Sequence, residues 1–216
     1  MAKILNKFVR RYTNLSSALD ILNNKRLTLL SPESWPDKND RCFINLYCNN
    51  VKKIHALCFT QAVETFHHWA VFASGIDGIC IEFDREILEN YIKSSQKNIK
   101  FQSVNYARIK DINENKFCYE DIPYLKRIGY SDEHEWRIIY ICDIENPEIL
   151  PSFPIGLDAI NCIYFNPGMP KNLSDNLKCI MKKMTEIGNL KIASSTLTNS
   201  LRWKSSGKEF FIRSIK

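Results

Sequence analysis

Residues 136–144 (WRIIYICDI) constrain this chain more than any other segment. Beyond Arg137 the run is apolar on both faces as far as Cys142, so it reads as a strand buried within a sheet. Its entrance has the opposite character, because Asp132-Glu133-His134-Glu135 leads directly into Trp136. Side chains alternate along a strand, which puts Glu133, Glu135 and Arg137 on one face and His134, Trp136 and Ile138 on the other. Carboxylates are seldom set at the mouth of a core strand for packing reasons. A pair held there beside an arginine can orient a hydroxyl or stabilise a developing cation. The competing reading is a surface strand start with Arg137 paired to Glu135, an arrangement that contributes little when exposed.

The remaining periodicities supply neighbours for that strand. Residues 8–13 and 26–30 read as short strands around a helix over 14–24, where Leu15, Ala18, Leu19 and Leu22 recur at helical spacing and Ser16 or Ser17 can cap. Residues 31–40, with two prolines and several self-bonding polar side chains, read as a loop. Segments 54–60, 79–83, 101–109, 160–165 and 191–198 read as strands, with 210–215 as a last one. Residues 66–73, the stretch after Asp84 and residues 173–184 read as helices. No internal repeat or low-complexity linker interrupts the chain. This order predicts one α+β domain over residues 1–216, a mixed and mostly antiparallel sheet flanked by helices.

No apolar run is long enough to cross a bilayer and the first residues lack a signal-peptide core, so a cytoplasmic protein without a membrane partner is expected. The 8 cysteines include no CxxC pair. Cys58, Cys80, Cys142 and Cys162 lie in apolar runs and read as reduced, buried thiols, and a zinc site is disfavoured. The net charge of +6 is uneven: residues 1–26 carry +5 and residues 171–216 carry +7, which leaves −6 for the middle. Basic ends suit a polyanion such as RNA or DNA, or an acidic protein; a solvated lysine-rich surface explains them equally well.

Further groups could carry chemistry. Arg11-Tyr12-Thr13 ends the first strand with a guanidinium fork, a stacking ring and a backbone leaving its ladder; an edge strand with solvated arginines is the plainer alternative. Thr60 closes the next buried strand. Trp69 and Phe72 fall three apart on one helix face, where they can wall a site for a flat ring or simply belong to the core. Glu82 sits in an apolar strand as a buried acid or an edge residue. Ser194-Ser195-Thr196 with Arg202-Trp203-Lys204 could touch a phosphate backbone, or form a polar turn.

As a set, Arg11-Tyr12 before a leucine-patterned helix, Asn39-Asp40, Cys58-Phe59-Thr60, Trp69 to Phe72 with Gly78 to Phe83, and Glu133 to Arg137 resemble the bacterial family called domain of unknown function 2971, over roughly residues 8 to 205. Phe72 stands where tyrosine is usual, and Arg41 follows Asn39-Asp40 where relatives carry proline and then an acid. The layout is similar to that of small ADP-ribosyltransferases of bacterial defence and toxin–antitoxin systems. That resemblance implies an ADP-ribosyltransferase-like fold with NAD as co-substrate and no metal. It further implies a nucleic acid acceptor and an antitoxin or chaperone partner.

By the same resemblance, Glu135 would hold the ribose hydroxyl and Glu133 would orient the nucleophile. Tyr12, Trp69 or Phe72 would sandwich nicotinamide. Arg11 would meet the pyrophosphate or the adenosine ribose, with Thr13 beside it, and Thr60 would support the ribose. Two other classes compete. One is a non-catalytic nucleic-acid-binding or sensor module. The other is a metal-dependent nuclease using Asp40, Glu82, Glu133 and Glu135.

Overall fold

The computed structural model describes residues 6–95, 98–114, 116–143, 151–184 and 190–215. In chain order the elements are β1 (Phe8–Asn14), α1 (Leu15–Asn24), β2 (Arg26–Thr28), α2 (Lys38–Cys48), β3 (Lys52–Thr60), α3 (Phe66–Phe72), β4 (Gly78–Asp84), α4 (Arg85–Ser94), β5 (Ile99–Ser103), β6 (Asn105–Ala107), α5 (Ile109–Asn113), β7 (Leu125–Arg127), β8 (Glu135–Asp143), β9 (Ser152–Pro154), β10 (Ile160–Phe165), α6 (Lys171–Met184), β11 (Lys191–Ser194) and α7 (Leu201–Ser214). Seven strands form one sheet in the order β11-β10-β4-β1-β3-β8-β5. Only β10 and β11 run parallel within it, so the sheet is mixed and mostly antiparallel, as the sequence predicts. The expected buried strand is β8, next to last in the sheet, which pairs with β3 on one edge and β5 on the other. Ile144 lies outside the described residues.

Alternation along the strands gives the two faces different tasks. Val9, Leu57, Phe59, Ile81, Phe83, Trp136 and Ile138 face the main core, which α1, α4 and α6 close with Ala18, Leu22, Leu88, Ile92 and Met181. The other face carries two small clusters. Ile44, Tyr47 and Cys48 of α2 cover Ile54, Ala56 and Ile139 over the β3–β8 half. Trp69 and Ala73 cover Tyr12 and Cys80 over the β1–β4 half. Cys80, Cys142 and Cys162 are buried, while Cys58 is half-buried.

Several sequence expectations change here. Asn14, not Ser16 or Ser17, caps α1 by accepting from the Ser17 backbone N–H. The loop expected over 31–40 ends early, because the Asp37 carboxylate accepts from the Asn39 and Asp40 backbone N–H groups and starts α2 at Lys38. Asp40, Ile44, Tyr47 and Cys48 then fall on the buried side of that helix at helical spacing. Residues 101–109 split between β5, β6 and the start of α5. Residues 210–215 are not a strand: Ser200 caps α7 by accepting from the Trp203 N–H, and the helix continues through Ser214 with no buried residue.

The ladder between β1 and β3 determines where a site can form. Its only register pair is Arg10↔Thr60. Beyond that pair the strands diverge: Arg11 to Asn14 continue on β4, while Ala56 pairs backbone to backbone with Leu30. The sheet therefore opens between its two small clusters.

A candidate active site where the sheet splits

A cavity of about 240 Å³ occupies this opening. Arg10, Arg11 and Tyr12 line it from β1, and Ala56, Cys58, Phe59 and Thr60 from β3. His68 and Phe72 of α3, Trp35 to Asp37 and Asp40, Lys126, Glu133 and Glu135 complete the walls. The acid preceding Trp136 and the tip of the first strand thus share one hollow.

Its floor is an ion cluster built around Arg137, which is fully buried. The side chain uses every N–H it has. Nε donates to Glu135 Oε1 at 2.7 Å, and one terminal nitrogen donates to Asp40 Oδ1 at 2.9 Å and the Pro123 carbonyl at 2.8 Å. The other terminal nitrogen donates to Asp40 Oδ2 at 2.6 Å and Glu135 Oε2 at 3.1 Å. Both carboxylates are therefore held by a forked pair of donors. The guanidinium also lies over the Trp35 ring, 4.8 Å from its centroid. Lys126 Nζ extends the cluster, at 2.6 Å from Glu133 Oε2, 3.2 Å from Glu135 Oε2 and 4.0 Å from Asp40 Oδ2. The register pairs Thr60↔Glu135 and Cys58↔Arg137 hold this group against β3.

The two glutamates are not equivalent. Burial alone would raise the Glu135 pKa, but Arg137 and Lys126 outweigh it and hold the group at about 2. Both of its oxygens are engaged. Burial wins at Glu133, whose pKa is raised against the pull of Lys126. Only Oε2 of Glu133 is bonded among the described residues. Asp40 is raised as well, first by burial and also by Glu135.

Because its folded pKa lies below the ordinary 4.5, Glu135 stabilises the fold above that pH, and the contribution is lost as pH falls toward 2. The contribution is about 3 kcal/mol at neutral pH. Glu133 and Asp40 act in the opposite sense, costing stability as pH rises through their elevated values. The wild-type unfolding free energy should fall between pH 5 and 2, and Glu135→Gln should flatten that slope in urea titrations. Equal slopes would remove Glu135 from the account.

The opposite wall is aromatic. Tyr12 stacks on His68 with ring centroids 5.4 Å apart and an 18° tilt, and Phe72 lies 6.1 Å from His68. Burial raises the Tyr12 pKa and lowers that of His68, so both rings are neutral at pH 7. The Arg11 guanidinium donates to the Cys58 carbonyl at 3.2 Å, across the split. Arg11 has no carboxylate within 4.0 Å among the described residues, and burial lowers its pKa.

Of the eight residues expected at the site, Arg11, Tyr12, Thr60, Phe72, Glu133 and Glu135 line the cleft. Trp69 does not: it is buried behind Tyr12, meeting that ring edge-on at 5.0 Å while Nε1 donates to Glu64 at 2.8 Å. Thr13 is absent from the lining too, and its backbone has not left the ladder, since it pairs with Ile79. The Thr60 hydroxyl is already committed, donating to the Glu133 carbonyl at 2.5 Å and accepting from the Ala62 N–H at 2.9 Å. It fixes the Glu133 backbone to β3.

Glu82 is buried and held by Arg10 at 2.6 Å and by Asn161 at 2.5 Å. The four acids of the nuclease reading are thus not one group, and two cations fill the space between the other three. Asp40 enters the sequence reading through the Asn39-Asp40 motif and as a nuclease ligand, not as a partner of Arg137, and neither Lys126 nor His68 is assigned a role there. Spacing from Asp37 could have placed Asp40 on a buried helix face; nothing local marks Lys126.

No curated protein matches the chain. Among solved structures, Thermus sp. 2.9 DarT in complex with ADP-ribosylated ssDNA is similar to it, with 11% identity over 90% of this chain and 98% of that one and a TM-score of 0.46. Thermus sp. 2.9 DarT in complex with NAD+ gives 9% identity over 88% and 95%, with a TM-score of 0.45. Residues 68–138, from His68 on the aromatic wall to Ile138 in β8, match the model of the family described as protein of unknown function (DUF2971), the family that the sequence motifs resemble.

Proposed function

We propose that this protein is an ADP-ribosyltransferase that cleaves the ribose–nicotinamide bond of NAD and transfers ADP-ribose to a nucleic acid, in a bacterial toxin–antitoxin or anti-phage setting. The observation that carries this reading is the convergence of Arg11, Tyr12, Phe72, Glu133 and Glu135 on one cleft. The cavity is below the ~300–1,000 Å³ of sites that enclose a whole drug-sized ligand, so it takes the nicotinamide ring and its ribose and leaves the adenosine end outside. Nicotinamide lies against Phe72 and Tyr12. Arg11, a half-buried cation with no carboxylate within 4.0 Å among the described residues, meets the pyrophosphate.

The scissile C–N bond breaks with its electron pair going to the ring nitrogen, so nicotinamide leaves neutral and needs no acid. Positive charge then develops on the ribose. Three carboxylates against two cations give the floor a net negative field that stabilises it. The acceptor nucleophile adds to the ribose carbon and its proton passes to a carboxylate. We assign that proton to Glu133, whose raised pKa and unbonded oxygen suit a base; Glu135 anchors Lys126 and Arg137 and fixes the geometry. This division differs from the one that the family resemblance implies, in which Glu135 holds the ribose hydroxyl.

The test is nicotinamide release and label transfer from adenine-labelled NAD, with single-stranded DNA, RNA or protein offered as acceptor. Release by the wild type, with Glu133→Gln reduced at least about a hundredfold at unchanged melting temperature, is the expected outcome. Absence of release with every acceptor would overturn the enzyme reading.

A further inference from the structure

A second, larger cavity of about 760 Å³ lies on the far side of the ion cluster, and Asp40 and Lys126 line both. Its remaining walls come from α2, from β6 and α5, and from β7 and the residue after it. Arg108, Lys110 and Arg127 are exposed along it, and none has a carboxylate within 4.0 Å among the described residues. Phe43, Ile109 and Ile128 lie between them, with Ile109 74% and Ile128 45% exposed. Unpaired cations interleaved with bare apolar side chains are unusual on a surface that has no partner. This patch also sits in the part of the sequence whose net charge is −6, so it is a local concentration and not a spillover from the basic ends.

We propose that this groove is the acceptor subsite and that it takes a single-stranded nucleic acid. The phosphates would pair with Arg108, Lys110 and Arg127, and unstacked bases would rest on Ile109, Ile128 and Phe43. A duplex presents its phosphates but hides its base faces, so it would use only half of this surface. The shared wall delivers the strand to Lys126, whose ammonium lies 2.6 Å from Glu133, the carboxylate assigned above to the acceptor proton. The inference rests on the transferase reading for its role as acceptor site, but the groove's binding can be measured without it. The basic termini are not required. Arg10 is bound to Glu82 and Arg11 reaches the Cys58 carbonyl inside the cleft, while Lys204 and Lys208 lie on α7 beside a separate surface groove.

The experiment uses the full chain and the triple variant Arg108→Glu/Lys110→Glu/Arg127→Glu, with Arg108→Gln/Lys110→Gln/Arg127→Gln as a milder second. Fluorescence anisotropy follows a labelled oligothymidylate, the matching RNA and a duplex across a salt series. The wild type should bind the single strands more tightly than the duplex. The glutamate variant should bind them more than tenfold more weakly, and the slope of log K against log salt should shrink by about 2, as three lost phosphate contacts require. The glutamine variant should fall between the two. Unchanged melting temperature and unchanged NAD-only nicotinamide release would show that the fold and cleft are intact. Wild-type affinity in the glutamate variant, or equal wild-type affinity for duplex and single strand, would overturn the groove assignment. Absence of nicotinamide release from a wild type that binds single strands through these residues would overturn the transferase reading alone.

Discussion

Replacing Arg137 with methionine should destabilise the protein by about 3–5 kcal/mol, a fall in melting temperature on the order of 10 °C. The side chain is fully buried and its five donors satisfy Asp40, Glu135 and the Pro123 carbonyl. Without it, three buried carboxylates would face Lys126 alone. Removing one partner of a buried pair is costly because the charge left behind stays desolvated. The triple variant Arg137→Met/Asp40→Asn/Glu135→Gln should therefore be more stable than Arg137→Met. Arg137→Lys should not rescue, since an ammonium cannot fork onto two carboxylates at once. Thermal and urea unfolding measure all three. A loss below 1 kcal/mol for Arg137→Met would mean that the cluster is wet and the described burial is wrong.

Trp69→Ala should cost a similar ~3–5 kcal/mol, because a large buried ring is removed from a small cluster with little else to fill the space. The loss should also reach the cleft. Trp69 backs Tyr12 edge-on, and its indole N–H holds Glu64, which in turn accepts a hydrogen bond from the Ser195 hydroxyl after β11. Trp69→Phe keeps an aromatic ring there but loses that donor and part of the indole, so it should cost about 1–3 kcal/mol. If NAD raises the melting temperature of the wild type, the shift should shrink in Trp69→Ala beyond what stability alone explains. A Trp69→Ala protein as stable as wild type would show that this cluster does not hold α3 in place.

The strands were readable from sequence because each is a short apolar run bounded by turn residues, and β8 most of all because both of its faces are covered. The same criterion misread 210–215, where Phe210, Phe211 and Ile212 form an apolar run that belongs to an exposed helix. Polar side chains set into apolar surroundings were readable too: Arg11 and Tyr12 within β1, Glu135 at the start of β8 and Glu133 in the turn before it. The environment of those side chains was not. Arg137 belongs to a network closed by Asp40, 97 positions earlier, and by Lys126 from a three-residue strand. Trp69 and Phe72 share a helix face by spacing, yet Trp69 packs behind Tyr12 while Phe72 stands on the cleft wall. Periodicity assigns a face; it does not say which part of that face the neighbouring strand covers.

The break between β1 and β3 has a consequence for how anything enters there. The slot is a gap in strand pairing, bridged by one residue pair at its apex and rimmed by two independently packed clusters. Its width is thus set in part by where two strands of one sheet part company, with the connection at Trp35 to Asp37 closing the remaining side. A guest finds strand-borne walls on two sides, so much of the disorder surrendered on docking is its own.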